Sequence, residues 1–216
     1  MSGVAAALDE VRERIAAAAS RAGRDPADVT LVAASKTVPA ALVAEAVTLG
    51  VTDVGENRAQ ELVAKADALA GMTETPVRWH FLGRLQRNKV GGVASLVGCW
   101  QSVDREALGR TIARHAPEAR VLVEVNLAGE AQKGGCAPSE AGPLTEALRE
   151  LGLRVEGLMT IPPQDDDPRR WFAALRDLGA GLELRHLSMG MTDDYEVAVE
   201  EGATMVRVGR ALFGAR

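Results

Sequence analysis

The chain has 216 residues, 47% of them hydrophobic and 25% charged, with a formal net charge of -5 at pH 7. That is enough apolar material for one well-filled α/β domain, and an acidic balance with scattered basic residues argues against a nucleic-acid footprint. Cys99 and Cys136 show no CxxC or Cys/His spacing, which points away from a disulfide framework and a zinc site and towards the reducing cytosol.

Residues 2–23 carry Asp9, Glu10, Arg12, Glu13 and Arg14 among alanines, unlike the apolar region of a signal peptide. Leu8, Val11 and Ile15 repeat there at helical spacing and predict a surface-packed amphipathic helix. From that point short β-like runs alternate with helical patterns. Residues 30–35 read as a strand, Thr37 as a helix cap, Pro39 as the first helical position, and Leu42, Val43, Ala46 and Val47 as a buried face. A second strand at 52–55 precedes a helix at 57–70, and a third strand at 77–82 precedes a helical pattern at 85–96 that Gly91 and Gly92 interrupt. The uncharged run 90–103 is too short and too rich in Gly and Ser to span a bilayer. A fourth strand at 98–102 leads to Asp104 as the cap of a helix whose Leu108 and Ile112 face inward.

The second half keeps the rhythm. Residues 120–126 form an apolar strand, followed by a helix marked by Leu144, Ala147, Leu148 and Leu151. A sixth strand at 153–158 precedes a helix opened by Asp167 and Pro168, and a seventh at 184–187 precedes a helix capped by Thr192. Residues 204–208 are the eighth strand. Eight β/α units in a single domain spanning 1–216 predict a (β/α)₈ TIM barrel with an extra N-terminal helix; an open doubly wound sheet is the alternative.

Lys36 ends the first strand, and it is one of only four lysines among 25 basic residues. A lysine amine in low-dielectric surroundings loses its proton readily and attacks aldehydes, which arginine cannot do; the alternative is a solvated lysine at a strand end. In a barrel, chemistry gathers where strands end, so Lys36, Glu56, Asn57, Asn126, Met159, Thr160, residues 188–192, Gly209 and Arg210 would line one mouth, with His80 within strand three. Segments 188–192 and 208–214 each carry glycine and run into a helix, a pattern that suits a phosphate or a plain turn. A phosphate beside an amine points to a phosphorylated aldehyde.

The strings Ala34-Ser35-Lys36-Thr37, Gly55-Glu56-Asn57, Trp79-His80-Phe81-Leu82-Gly83, Gly157-Leu158-Met159-Thr160-Ile161, Leu187-Ser188-Met189-Gly190-Met191-Thr192-Asp193-Asp194 and Met205-Val206-Arg207-Val208-Gly209 together resemble the pyridoxal phosphate homeostasis protein family. These are single-domain relatives of the alanine racemase N-terminal barrel, the type III fold of pyridoxal-phosphate proteins. The resemblance implies that Lys36 carries pyridoxal 5'-phosphate as an internal aldimine, with Ser188, Gly190, Thr192 and Gly209 on the phosphate and Met189 beside them. It also implies that Arg207 faces the pyridine nitrogen and that Asn57, His80 and Met159 line the ring or its 3-hydroxyl side. Arg210 stands where the family would have a small or neutral residue, so it either adds charge to the phosphate site or points to solvent.

The implied role is cytoplasmic: buffering the free cofactor or delivering it to apo-enzymes, without substantial catalysis and without a catalytic residue. An amino-acid racemase of low activity, a class I aldolase using Lys36 directly and a scaffold for apo-enzymes are the competing readings. Barrel racemases add a β-rich domain with a tyrosine acid/base, whereas this chain ends at Arg216 and its one tyrosine, Tyr195, lies in the helix after strand seven. One face of the cofactor would then stand open. His80 reads equally well as a satisfied core histidine, Lys133 as a mobile surface lysine and Cys136 as an exposed loop residue; no obvious apolar stripe marks the surface, which favours a monomer.

Overall fold

The computed structural model describes residues 3–214; Ser2, where the expected first helix begins, and Arg216 lie outside them. Eight parallel strands, β1 (Thr30–Ala34), β2 (Asp53–Glu56), β3 (Arg78–Phe81), β4 (Val97–Val103), β5 (Arg120–Glu124), β6 (Arg154–Met159), β7 (His186–Ser188) and β8 (Met205–Val208), form a barrel in sequence order. It closes through β8 and β1, from Thr30 opposite Met205 to Ala33 opposite Val208, which rules out the open doubly wound sheet. Every strand except β3 is followed by an α-helix: α2 (Ala40–Thr48), α3 (Ala59–Ala70), α4 (Glu106–His115), α5 (Ala141–Glu150), α6 (Pro168–Gly181), α7 (Tyr195–Glu200) and α8 (Arg210–Phe213).

The two-residue period of each strand sorts its side chains into two layers. On β5, Val121 and Val123 join the large core between barrel and helices, while Leu122 joins Val32, Cys99, Met159 and Met205 in a small cluster inside the barrel. Polar groups complete that interior: His80, Gln101, Ser188 and Arg207 are all at most 4% exposed. Barrel interiors are usually filled by bulky branched residues, so a polar interior signals that these groups have partners.

The N-terminal helix, α1 (Gly3–Arg21), buries Val4, Leu8, Val11, Ile15, Ala18 and Ala19 on one face, as its spacing predicts. It packs on α2, α7 and α8. Because α8 has only four residues, α1 takes the place of the eighth outer helix. Arg14 pairs with Glu196, Arg21 with Glu200, and Arg24 donates to the carbonyls of Val199 and Ala203 at 2.6 and 2.9 Å.

Local chemistry departs from the sequence pattern in four places. Residues 85–96 form a 3₁₀ turn, Arg87–Lys89, and further tight turns rather than a helix, because Gly91 and Gly92 weaken any helical ladder there. Pro39, not Thr37, is the N-cap of α2, and Thr37 sits in a turn with φ of 63°. Asp104 engages Arg105 and the cap of α4 falls to Arg105. Asp194 rather than Thr192 precedes α7. By contrast, Asp167 caps α6 as expected, accepting from the Arg169 N–H at 3.0 Å.

Candidate functional site

The C-terminal ends of the strands surround one mouth. Lys36 rises from the turn after β1, half-buried, and its amine makes no hydrogen bond or ion pair among the described residues. The preceding residue, Ser35, touches a buried pair, Glu56 at the end of β2 and Lys65 on α3. Lys65 Nζ also donates to the Ser35 carbonyl at 2.6 Å, and the Ser35 hydroxyl donates to Glu56 Oε1 at 2.7 Å. Every charge in this layer is matched.

Arg207, on the inner face of β8 and 4% exposed, anchors a second network. Its guanidinium donates to the Ser188 hydroxyl at 2.6 Å and to the Thr160 carbonyl at 2.9 Å. The Ser188 hydroxyl in turn donates a hydrogen bond to Gln101 Oε1 at 2.6 Å; Gln101 Nε2 meets His80 Nδ1 at 2.7 Å, and His80 Nε2 meets Asp53 Oδ1 at 2.8 Å. The chain of contacts crosses the barrel from β8 to β2. Burial lowers the Arg207 pKa to about 10, with Asp194 and Glu124 opposing the shift, so the group stays charged at neutral pH. Its partners are a hydroxyl and a carbonyl, not a carboxylate at the mouth.

Two loops complete the rim. The backbone N–H groups of Gly190 and Thr192, after β7, and of Gly209 and Arg210, after β8, make no hydrogen bond among the described residues. Four such donors on neighbouring loops form a place for an anion. Glycine is needed at two of these positions. Gly190 has φ of 88° and a Cβ there would stand 2.5 Å from Ala198 Cβ; a Cβ on Gly209 would stand 2.9 Å from the Ala34 carbonyl oxygen. The helices that follow have six and four residues, too short for a large dipole, so the unpaired donors themselves are the anion-attracting feature.

A family profile described as "Alanine racemase, N-terminal domain" matches residues 7–216. A pyridoxal phosphate homeostasis protein from Pseudomonas aeruginosa is 44% identical over 228 residues, covering all of this chain and 97% of the relative; one from Aquifex aeolicus is 44% identical over 223 residues, covering 97% and 96%. The chain belongs to the pyridoxal phosphate homeostasis protein family. Among solved structures, PipY of Synechococcus elongatus with PLP bound superposes with a TM-score of 0.82 at 34% identity, over 94% of this chain and 100% of that one. Alanine racemase from Corynebacterium glutamicum, at 19% identity and a TM-score of 0.66, shares the fold.

Within this member of the pyridoxal phosphate homeostasis protein family, the expected site residues divide into two groups. Lys36, Asn57, Gly190, Thr192 and Gly209 follow strand ends at the mouth, and Arg207 lies within β8 with its guanidinium on Ser188 and the Thr160 carbonyl. Thr192 Oγ1 accepts from the Ala211 N–H at 3.4 Å and so links the two rim loops. The other residues lie deeper or turn away. His80 is 1% exposed with both ring nitrogens engaged, matching the reading of a satisfied core histidine. Met159 belongs to the inner apolar cluster and Met189 to the outer core. The Ser188 hydroxyl is used by Arg207 and Gln101. Arg210 turns outward to pair with Asp193 at the surface, so only its backbone N–H faces the rim.

Two loop residues differ from expectation. Cys136 is buried rather than exposed, its backbone held by a strand-like bridge to Val125, and burial pushes its thiol up to about 11. Lys133 is tied down, donating to the Pro162 carbonyl at 3.0 Å and pairing with Glu130. Sequence reasoning missed Lys65, Gln101 and Glu124. Lys65 lies one helical turn after Glu61, and Glu124 breaks an otherwise apolar strand at an inward position; both were legible signals.

Proposed function

We propose that this protein binds pyridoxal 5'-phosphate covalently and reversibly on Lys36 and takes part in homeostasis of that cofactor, holding it or passing it to apo-enzymes in the cytoplasm. The observation that carries the reading is an amine without a partner after β1, at the same end of the barrel as four unpaired backbone donors, in a chain whose relatives are named for this role. The residues present fit the group. Lys36 supplies the nucleophile, and the N–H groups of Gly190, Thr192, Gly209 and Arg210 suit a phosphate. Asn57 borders the mouth, with a side chain that makes no hydrogen bond among the described residues.

When bound, the cofactor supplies an electrophilic carbon and, if its ring nitrogen is protonated, an electron sink. Arg207 works against the second property. A guanidinium donates hydrogen bonds and accepts none, so facing a ring nitrogen it leaves that nitrogen unprotonated. The Arg207 head cannot swing away, because Ser188 and Thr160 hold it. The site therefore suits a tether better than a catalyst, with residues 1–216 acting as one barrel domain and as a monomer in solution.

The purified protein mixed with pyridoxal 5'-phosphate should develop a visible absorption band, and borohydride should fix the cofactor on Lys36 as mapped by mass spectrometry. A Lys36→Ala variant that retains the cofactor equally well after borohydride would overturn the reading. Prolonged incubation with L-alanine or L-serine should yield no D-isomer by chiral chromatography.

A further inference from the structure

The two residues that flank Lys36 are both fastened to helix α3. On one side, the Ser35 carbonyl accepts from Lys65 Nζ at 2.6 Å, and the Ser35 hydroxyl donates to Glu56 Oε1 at 2.7 Å and to the Gly55 carbonyl at 3.2 Å. Ser35 and Glu56 are fully buried and Lys65 is 8% exposed. On the other side, the Thr37 N–H donates to Glu61 Oε2 at 3.1 Å. Glu61 and Lys65 stand one turn apart on α3 and share a face.

Between these fastenings the backbone is strained. Thr37 has φ of 63°, a left-handed conformation that a β-branched residue keeps only where its surroundings impose it. Ion pairs buried as deeply as Lys65 with Glu56 add little to stability over an apolar pair of equal size, so their presence calls for another role. Here the Lys65 ammonium directs one donor at the carbonyl preceding the reactive lysine.

We propose that Glu61 and Lys65, with Glu56, are positioning residues that clamp the turn 35–37 and fix the direction in which the Lys36 amine leaves the backbone. The inference rests on the reading of Lys36 as the attachment point. In that step the amine nitrogen bonds the carbonyl carbon of the ligand, and the carbonyl oxygen leaves as water with both amine protons. Such additions depend steeply on approach geometry, and a fixed backbone removes most of the orientational cost. None of the three clamp residues needs to touch the ligand.

The test compares Glu61→Ala with Glu61→Gln, which keeps an acceptor oxygen, by stopped-flow absorbance with pyridoxal 5'-phosphate and by hydrogen exchange at the Thr37 amide. Loss of a hydrogen bond to a charged group should slow attachment in Glu61→Ala about tenfold, with Glu61→Gln within about twofold of the parent. Thr37 exchange should be protected in the parent and fast in Glu61→Ala, while the melting temperature moves by less than about 4 °C. Lys65→Arg, which retains the pair, should attach faster than Lys65→Met. Attachment by Glu61→Ala at the parental rate, or failure of Glu61→Gln to restore it, would overturn the clamp. If the parent attaches nothing at Lys36, the reading of function fails instead, and an unprotected Thr37 amide in the parent would then overturn the clamp independently.

Discussion

Replacing Glu124 with glutamine should make the protein more stable above neutral pH and leave it unchanged in mild acid. Glu124 ends β5 on the inner face, is 8% exposed, and its carboxyl makes no hydrogen bond among the described residues. Burial raises its pKa from 4.5 to about 7; Asp104 adds to the shift, while Arg207 and Arg84 oppose it. The native state therefore keeps a proton that the unfolded chain has already released between those two values. Stability contributed by that protonated carboxyl is complete below about 4.5 and is lost as pH rises to about 7. At 1.36 kcal/mol per pKa unit, the loss across the window is about 3 kcal/mol. Glutamine keeps the volume and cannot ionise. Urea denaturation followed by circular dichroism from pH 4.5 to 8.5, parent against Glu124→Gln, isolates this one group because all other titrations cancel in the difference. The difference should grow from near zero to about 3 kcal/mol in favour of the variant, about 6–12 °C in melting temperature. A difference that stays flat with pH would refute the argument.

Other outcomes follow from packing and burial. Leu8→Ala, which empties the 1%-exposed centre of the α1 face, should cost about 2–5 kcal/mol by the same denaturation assay. Gln101→Leu leaves His80 Nδ1 without a partner and the Ser188 hydroxyl proton without an acceptor, and should cost about 2–4 kcal/mol, more than an exposed Gln132→Leu control. Burial pushes the Cys99 thiol up to about 12 and that of Cys136 up to about 11, so neither should react with a disulfide reagent at pH 8 until the protein is denatured. Rapid labelling of Cys136 in the native state would contradict the buried placement of its loop.

The barrel was legible from the alternation of apolar runs with helical spacing, because parallel strands buried on both faces leave that mark. Lys36 stands out for a different reason, its residue type at the end of an apolar run, whereas the rim glycines taken alone read equally well as turns. What escaped were contacts between distant positions. Nothing local in the sequence says that Gln101 joins His80 to Ser188, 87 residues onward, or that Lys65 reaches the Ser35 carbonyl. The helix expected at 85–96 failed because spacing alone does not register how strongly two adjacent glycines oppose a helical ladder. The residue type of Thr37 suggests a cap, but the turn needs its N–H for Glu61 and leaves its side chain no role at α2.

The seating of α1 in the eighth outer position has a consequence for synthesis. Arg14 and its partner Glu196 are 182 residues apart, so α1 waits for a segment synthesised much later. At cellular elongation speeds of about 5–20 residues per second, that interval is roughly 10–40 s. Throughout it the stripe of Leu8, Val11 and Ile15 has no barrel to cover it, and a nascent chain of this protein offers chaperones an apolar handle until its final strand emerges.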